Sequence, residues 1–355
     1  MTPARWAGLA VAVAVAVLAA GCGASTARQP APSGIRTVVD MTGRQVQIPA
    51  TVTRVATNVP LIPATIDLLG GIDNLVAAAT ASFNALFTTI APSTKDIPVS
   101  PVNSLNSEEL LTLHPQVFIM TNLTPGLLPM LERLKIPVVQ ITEFATAADL
   151  ENSVTLVAEV LGGEAPSRAQ QYRSYFNATI QRVQAKTASL PDAGRPTVYY
   201  APGPNPTTTV GAGNIITASI EAAGGRNIAA EHGIGPNEAG AFAFPTVTAE
   251  TLLTWDPEVI IAINADGVRQ FEADPKFAPL NAVRNHRVYA CPVGIFPWCA
   301  SSSEAALAPL FLAKAVHPDL FGDLTLGTEV TDFYTRFYGY ALSEQQAAKI
   351  LSGVG

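Results

Sequence analysis

Between Pro166 and Pro191 the chain runs without a single glycine or proline. The segment Ala165 to Ser189, APSRAQQYRSYFNATIQRVQAKTAS, carries Pro166 where a first-turn proline is tolerated. Tyr172, Phe176, Thr179, Ile180 and Val183 recur at helical spacing, with Arg173, Arg182 and Lys186 on other faces. At 1.5 Å per residue this predicts a rod of about 37 Å, the span of a small domain.

The two flanks of this rod are alike. Upstream, Glu108-Glu109-Leu-Leu-Thr-Leu-His-Pro115 leads into the apolar run Val117 to Met120. Downstream, Glu250-Thr-Leu-Leu-Thr-Trp-Asp-Pro257 leads into Val259 to Ile263. Each unit reads as a short helix, a proline stop and a buried strand, and the two lie 142 residues apart. The expectation is two equivalent lobes joined by one helical strut.

The chain has 355 residues, enough for two domains with real cores, and is 48% hydrophobic. A net charge of −7 with no basic run argues against a nucleic-acid partner. At the N-terminus, Arg5 precedes the apolar run Leu9 to Leu18, too short for a permanent membrane span and fitting an export signal. It ends Leu18-Ala-Ala-Gly21-Cys22, small residues before a cysteine, as in a bacterial lipobox. That implies cleavage before Cys22, lipidation of its thiol, and a membrane-anchored protein outside the cytoplasm. The expected segments are 1–21 as signal peptide, 22–34 as lipidated flexible tether, 35–146 as N-terminal lobe, 147–190 as linker region with the strut, and 191–355 as C-terminal lobe. The remaining cysteines, Cys291 and Cys299 in CPVGIFPWC, are expected to form a loop disulfide in an oxidising compartment.

Strands and helices alternate in both halves, which predicts an α/β fold with mainly parallel sheets and two Rossmann-like lobes. A hairpin is expected about Thr42-Gly43, and strands at Arg54–Thr57, Leu75–Thr80, Val117–Met120, Val138–Ile141, Thr197–Tyr200, Val259–Ile263 and Arg287–Ala290. Ser82 to Ser93 and Asn264 to Pro275 read as irregular loops, and His232 to Gly240 as a glycine-rich one. Open parallel sheets bind ligands beyond the C-terminal ends of their strands. Those ends carry Asn58, Phe83, Asn122, Tyr200, Asn214, Phe244 and Trp298, amides and aromatics suited to a bulky chelate or macrocycle.

Catalytic signatures are missing: there is no G-x-S-x-G, H-E-x-x-H or Walker loop. Val210-Gly-Ala-Gly213 lacks the third glycine of a dinucleotide turn, although Thr207 to Asn214 ahead of a helix offers N–H groups to an anion. The four histidines are scattered; His114, His286 and His317 read as surface residues and His232 as a loop residue within reach of a ligand. No cluster of His and carboxylates supplies a site for a bare metal ion. Arg269 is the one basic residue in these loops.

Together these features resemble the class III periplasmic binding proteins, the substrate-binding lipoproteins of ABC importers. RVATNVPLIPATIDLLGGIDNLVA is similar to that family's first strand–helix unit, and VYYAPGPNPTTTVGAGNIITASIEAAGGRNIA to the opening of its second lobe. PKFAPLNAVRNHRVYACP and the ending FLAKAVHPDLF…FYTRFYGYALS resemble a branch that includes iron-complex and molybdate or tungstate binders. The likeness covers about residues 36 to 351. It implies a monomer without intrinsic cofactor or catalysis, a ligand cleft between lobes, little closure, and docking on an ABC permease dimer through Glu108 and Glu250, with Glu109 an alternative to Glu108. The implied ligand is an iron chelate, siderophore or haem, the latter needing an axial ligand such as Tyr199, Tyr200 or His232. The alternatives are molybdate, tungstate or cobalamin, or a ligand sensor without transport.

Overall fold

A computed structural model describes residues 34–102, 107–121, 126–142, 144–236 and 244–354. Cys22 and Asn122 lie outside the described residues. Strands β1 (Ile35–Val39) and β2 (Gln45–Pro49) form the expected antiparallel hairpin, Val38 facing Val46 across it.

The first half continues as β3 (Val55–Thr57), α1 (Ile62–Leu68), β4 (Leu75–Ala79), α2 (Ala85–Ile90), β5 (Val99–Ser100), α3 (Ser107–Thr112), β6 (Val117–Thr121), α4 (Leu127–Arg133) and β7 (Val138–Ile141). Helices α5 (Ala147–Leu161) and α6 (Ala165–Thr187) follow. The second half holds β8 (Thr197–Ala201), α7 (Ile215–Ala222), β9 (Arg226–Asn227), α8 (Ile228–Glu231), α9 (Ala249–Trp255), β10 (Val259–Ala262), α10 (Ala265–Ala273), α11 (Asn281–Arg284) and β11 (Val288–Ala290). Three helices close the chain: α12 (Ala308–Val316), α13 (Leu326–Tyr338) and α14 (Glu344–Leu351).

Both large sheets are parallel. Their orders are β5-β4-β3-β6-β7 and β9-β8-β10-β11, so four consecutive strands of the first match the whole of the second. The repeat extends to the backbone. His114 and Asp256, each just before the proline that ends its unit, both adopt a left-handed conformation, with φ 44° in each. Proline disfavours the α region for the residue before it, so both helices stop at the same place for the same reason.

Strand residues alternate between two environments, as period-two geometry requires. Val55, Val117, Ile119, Val139 and Ile141 of the first sheet, and Val198, Tyr200, Val259 and Ile261 of the second, join one core with α5, α6, α12 and α13. The opposite faces close two smaller cores. One is built on Phe118, Met120 and Leu131, the other on Tyr199, Ile260, Phe271 and Phe277.

The strut α6 matches its expected span and stays within that shared core. Tyr172, Phe176, Thr179 and Val183 are buried, while Ile180 is only half-buried. Tyr172 meets Phe337 edge-on at 5.9 Å and Tyr175 meets Phe333 at 5.5 Å, so α13 packs along the strut. Arg168 donates to Leu68 O at 2.8 Å and to Phe337 O at 2.7 Å, tying the strut to the first half and to the tail. Burying each large apolar side chain contributes roughly 1.5–3 kcal/mol.

Two segments read as loops are helical. Asn84 caps α2 by accepting from Phe87 N–H at 2.9 Å, and Asn264 caps α10 by accepting from Gly267 N–H at 3.0 Å. Gly267 sits in the first turn of α10 against Ala262, where a side chain would collide. His317 is also not a surface residue. It is half-buried, its Nε2 3.0 Å from Gly224 O.

Candidate ligand cleft

A cleft of about 270 Å³ lies where the C-terminal strand ends of the two sheets meet. The first half contributes Asn58 after β3, Thr121 at the end of β6, and Ile141, Thr142 and Phe144 at and beyond β7. The second contributes Tyr200 on β8, Val210 and Asn214 before α7, Phe244, and Ile263 after β10. The loop after β11 adds Phe296, Pro297, Cys299 and Ser301. Among the described residues the lining has no Lys, Arg, His, Asp or Glu.

Of the residues singled out in the sequence, Asn58, Tyr200, Asn214 and Phe244 line this cleft. Two others do not. Phe83 is half-buried against Phe87, with ring centroids 5.5 Å apart. Trp298 is fully buried behind the wall that its neighbours Phe296 and Pro297 expose. The segment runs through bends and a turn, so the side each residue takes does not follow from strand alternation.

The groups that line the cleft are already anchored. Asn58 Nδ2 donates to Val102 O at 3.1 Å. Asn214 caps α7 by accepting from Ile216 N–H at 2.9 Å. The Tyr200 hydroxyl donates to Cys299 O at 2.6 Å, and Tyr199 contacts Pro206 O and Thr208 O on the far face of the sheet. Burial raises the Tyr200 phenol well above its ordinary value, with Cys299 and Cys291 adding to the rise. His232 stacks on Trp255 at 4.9 Å, outside the cleft lining, and Arg269 pairs with Asp266 on exposed α10.

Four N–H groups of the loop from Thr207 to Asn214 are bonded within the protein. Thr207 N donates to Asn205 Oδ1 and Thr208 N to Asn205 O. Thr209 N donates to Pro245 O, and Ala212 N to Ile234 O. Gly211 is required there, because a side chain at that position would run into the Ile234 carbonyl.

Cys291 and Cys299 are free thiols, both buried, in place of the expected bridge. The loop between them closes by backbone bonds instead. Cys299 N–H donates to Cys291 Sγ at 2.9 Å and Trp298 N to Pro292 O at 3.0 Å. Burial, and then hydrogen bonding with Cys291, raise the Cys299 thiol well above its usual value, so it stays protonated and slow to oxidise.

One side chain and one backbone bond cross between the halves at the cleft's edge. Asn84 Nδ2 donates to Gly294 O at 2.8 Å and Ile295 O at 3.1 Å, and Ile215 N donates to Phe144 O at 3.2 Å. Sequence reasoning missed Asn84, although an asparagine ahead of Ala-Leu-Phe is a helix-start signal.

Residues 60–293 match the family description "Periplasmic binding protein". The chain belongs to this family. It is 28% identical over 288 residues to the molybdate-binding protein MolA of Haemophilus influenzae, covering 73% of this chain and 78% of that protein. It is also 28% identical over 194 residues to a cobalamin-binding protein of Halobacterium salinarum, covering 52% of this chain and 47% of that protein. Among solved structures, a periplasmic solute binding protein from Veillonella parvula superposes with a TM-score of 0.75 at 28% identity, over 90% of this chain and 97% of that one. The neighbours are class III, two-lobe binding proteins of ABC importers, which bind solutes rather than transform them and carry no intrinsic cofactor. No helix among the described residues is long and apolar enough to cross a membrane.

Proposed function

We propose that this binding protein captures a bulky, largely apolar metal chelate, of the ferric-siderophore or corrinoid kind, in the cleft and delivers it to an ABC permease. The observation that carries the reading is the lining: aromatic and aliphatic side chains with a few amides and hydroxyls, and no charge among the described residues. Such a surface suits a ligand whose own donors already satisfy its metal. Haem fits less well, because Tyr199, Tyr200 and His232 are all engaged elsewhere. In this reading Asn58, Asn214, Phe244 and, outside the described residues, Asn122 orient the ligand. Tyr200 shapes the cleft floor. Glu108 on α3 and Glu250 on α9, both exposed and both in the first turn of equivalent helices, dock on the permease. Lipidation at Cys22 holds the protein on the membrane's outer surface.

A second reading, molybdate or a similar oxyanion, is favoured by the likeness to MolA. The N–H groups of Thr207, Thr208, Thr209 and Ala212 are already bonded, which leaves such an anion fewer backbone donors in the 207–214 loop. Thermal-shift measurement against ferric siderophores, cobalamin, haemin and molybdate separates the two. A ligand at a hundredfold excess over its Kd stabilises the fold by about 2.7 kcal/mol. A rise with a siderophore or cobalamin supports the proposal; a rise with molybdate alone overturns it.

A further inference from the structure

The wall of the cleft formed by residues 294–298 is built on a buried carboxylate. Glu304 follows that wall by one short turn and is completely buried. Its Oε2 accepts from Phe296 N–H at 2.6 Å, and its Oε1 accepts from the Tyr334 hydroxyl of α13. The Tyr334 oxygen in turn accepts from Ile295 N–H at 2.9 Å. The Trp298 indole N–H, buried and without a hydrogen-bond partner of its own, lies close enough to favour the ionised carboxylate. Gly294 leaves room for the arrangement: a side chain there would collide with both Glu304 and Tyr334. From the other side, Asn84 of the first half holds the Gly294 and Ile295 carbonyls.

We propose that Glu304 is a positioning residue for the cleft: ionised, it holds the 294–298 wall in place through Phe296 and Tyr334, and protonated, it lets that wall loosen. An ionised carboxylate can accept from all of these donors at once. Once protonated, it must place a hydrogen on one of the two oxygens. On Oε2 the hydrogen opposes Phe296 N–H. On Oε1 it reverses the bond with Tyr334 and leaves that hydroxyl's hydrogen without its acceptor. Either way Phe296 N–H is left with a neutral in place of a charged acceptor, a weaker bond, and Phe296 and Pro297 form the cleft surface.

The surroundings put this change within the physiological range. Burial pushes the Glu304 carboxyl up from 4.5 to about 7, with Tyr334, Phe296, Trp298 and Ile295 pulling it partly back. The titratable groups facing it are Tyr334 and Tyr338 from α13 and Tyr172 from α6, with Asp67 of α1 beyond Tyr338. None of these tyrosines ionises near neutrality, since burial raises each well above its ordinary value. The significance of the wall rests on the cleft being the capture site, but the wall can be read without any ligand. A failed ligand screen therefore leaves the test intact.

The test is a pH titration of ligand-free protein carrying ¹⁵N-labelled tryptophan, following the Trp298 indole N–H resonance from pH 5.5 to 8.5 and assigning it with Trp298→Phe. The resonance is expected to shift in one step with a midpoint near 7. Glu304→Gln keeps the side chain's size and should flatten the titration. Tyr334→Phe removes a bond that favours the ionised form and should move the midpoint upward. A resonance that does not titrate, or a step that survives Glu304→Gln unchanged, overturns the proposal. If the glutamine variant does not fold, an unmoved midpoint in Tyr334→Phe overturns it alone.

Discussion

The two halves of the chain share a topology and diverge at their strand ends. Each has a central strand flanked in the same order, β4-β3-β6-β7 in one and β9-β8-β10-β11 in the other, and each ends its short helix at a left-handed residue before proline. In the first half, the strand after that turn runs into the cleft through Thr121, and β7 leads to Thr142 and Phe144. In the second half, β11 leads to a longer loop that folds over a buried Glu304–Tyr334 pair. The shared part is backbone economy: a parallel strand needs a crossover helix and a stop. The divergent part is where a ligand is met, and there the second half invests a buried charge that the repeat does not call for.

If the halves are equal partners on a common core, the largest effects come from that core. Phe176→Ala in the strut should destabilise by about 3–5 kcal/mol and lower hydrogen-exchange protection in both sheets, because Phe176 belongs to the core they share. Phe118→Ala and Phe271→Ala should cost similar amounts. Each should lower protection first in its own half, because those residues sit in the separate smaller cores. Loss confined to one sheet in Phe176→Ala would break the picture of one core between two halves.

Next in size is the pH dependence, to which each half contributes a carboxyl raised by burial. Burial raises Asp67 from 3.8 to about 6, opposed by Arg168, and Glu304 from 4.5 to about 7. Both folded-state values are raised, so the stability each contributes is fully present below its unfolded value. It is lost as pH rises through 6 for Asp67 and through 7 for Glu304. The loss amounts to about 3 kcal/mol or less for each. Urea midpoints measured between pH 4 and 8 should fall, with Asp67→Asn flattening the lower part of the curve and Glu304→Gln the upper. A flat wild-type curve would show that neither carboxyl pays a burial cost.

The smallest effect on stability belongs to the matched glutamates. Glu108→Ala and Glu250→Ala remove exposed first-turn carboxylates, whose favourable interaction with the helix N-terminus is screened by water. The thermal midpoint should barely move, while uptake by cells carrying the double variant should be lost. Uptake that survives would limit the equivalence of the two halves to the fold, with no role in docking.

Much of this architecture was legible in order and spacing. The strut, the hairpin and most of the strands follow from unbroken apolar periodicity and from proline and glycine stops, which act over a few residues. The helices α2 and α10 were hidden. Their signal was one asparagine cap each. Asn58 and Tyr200 line the cleft because strand ends are fixed by the sheet, while Asn214 and Phe244 reach it from loops before helices. Trp298 and Phe83 were misplaced because the face a loop residue shows depends on what packs behind it.

The sequence by itself therefore determined the α/β alternation, the internal repeat and the helix between its copies, all products of local propensity and hydrophobic period. Tertiary structure alone decided that Cys291 and Cys299 stay thiols, that Asn84 reaches across to Gly294, and that Glu304 lies fully buried beneath the cleft wall. Each of those depends on contacts between residues far apart in the chain or on desolvation by distant elements, which spacing along the chain does not encode.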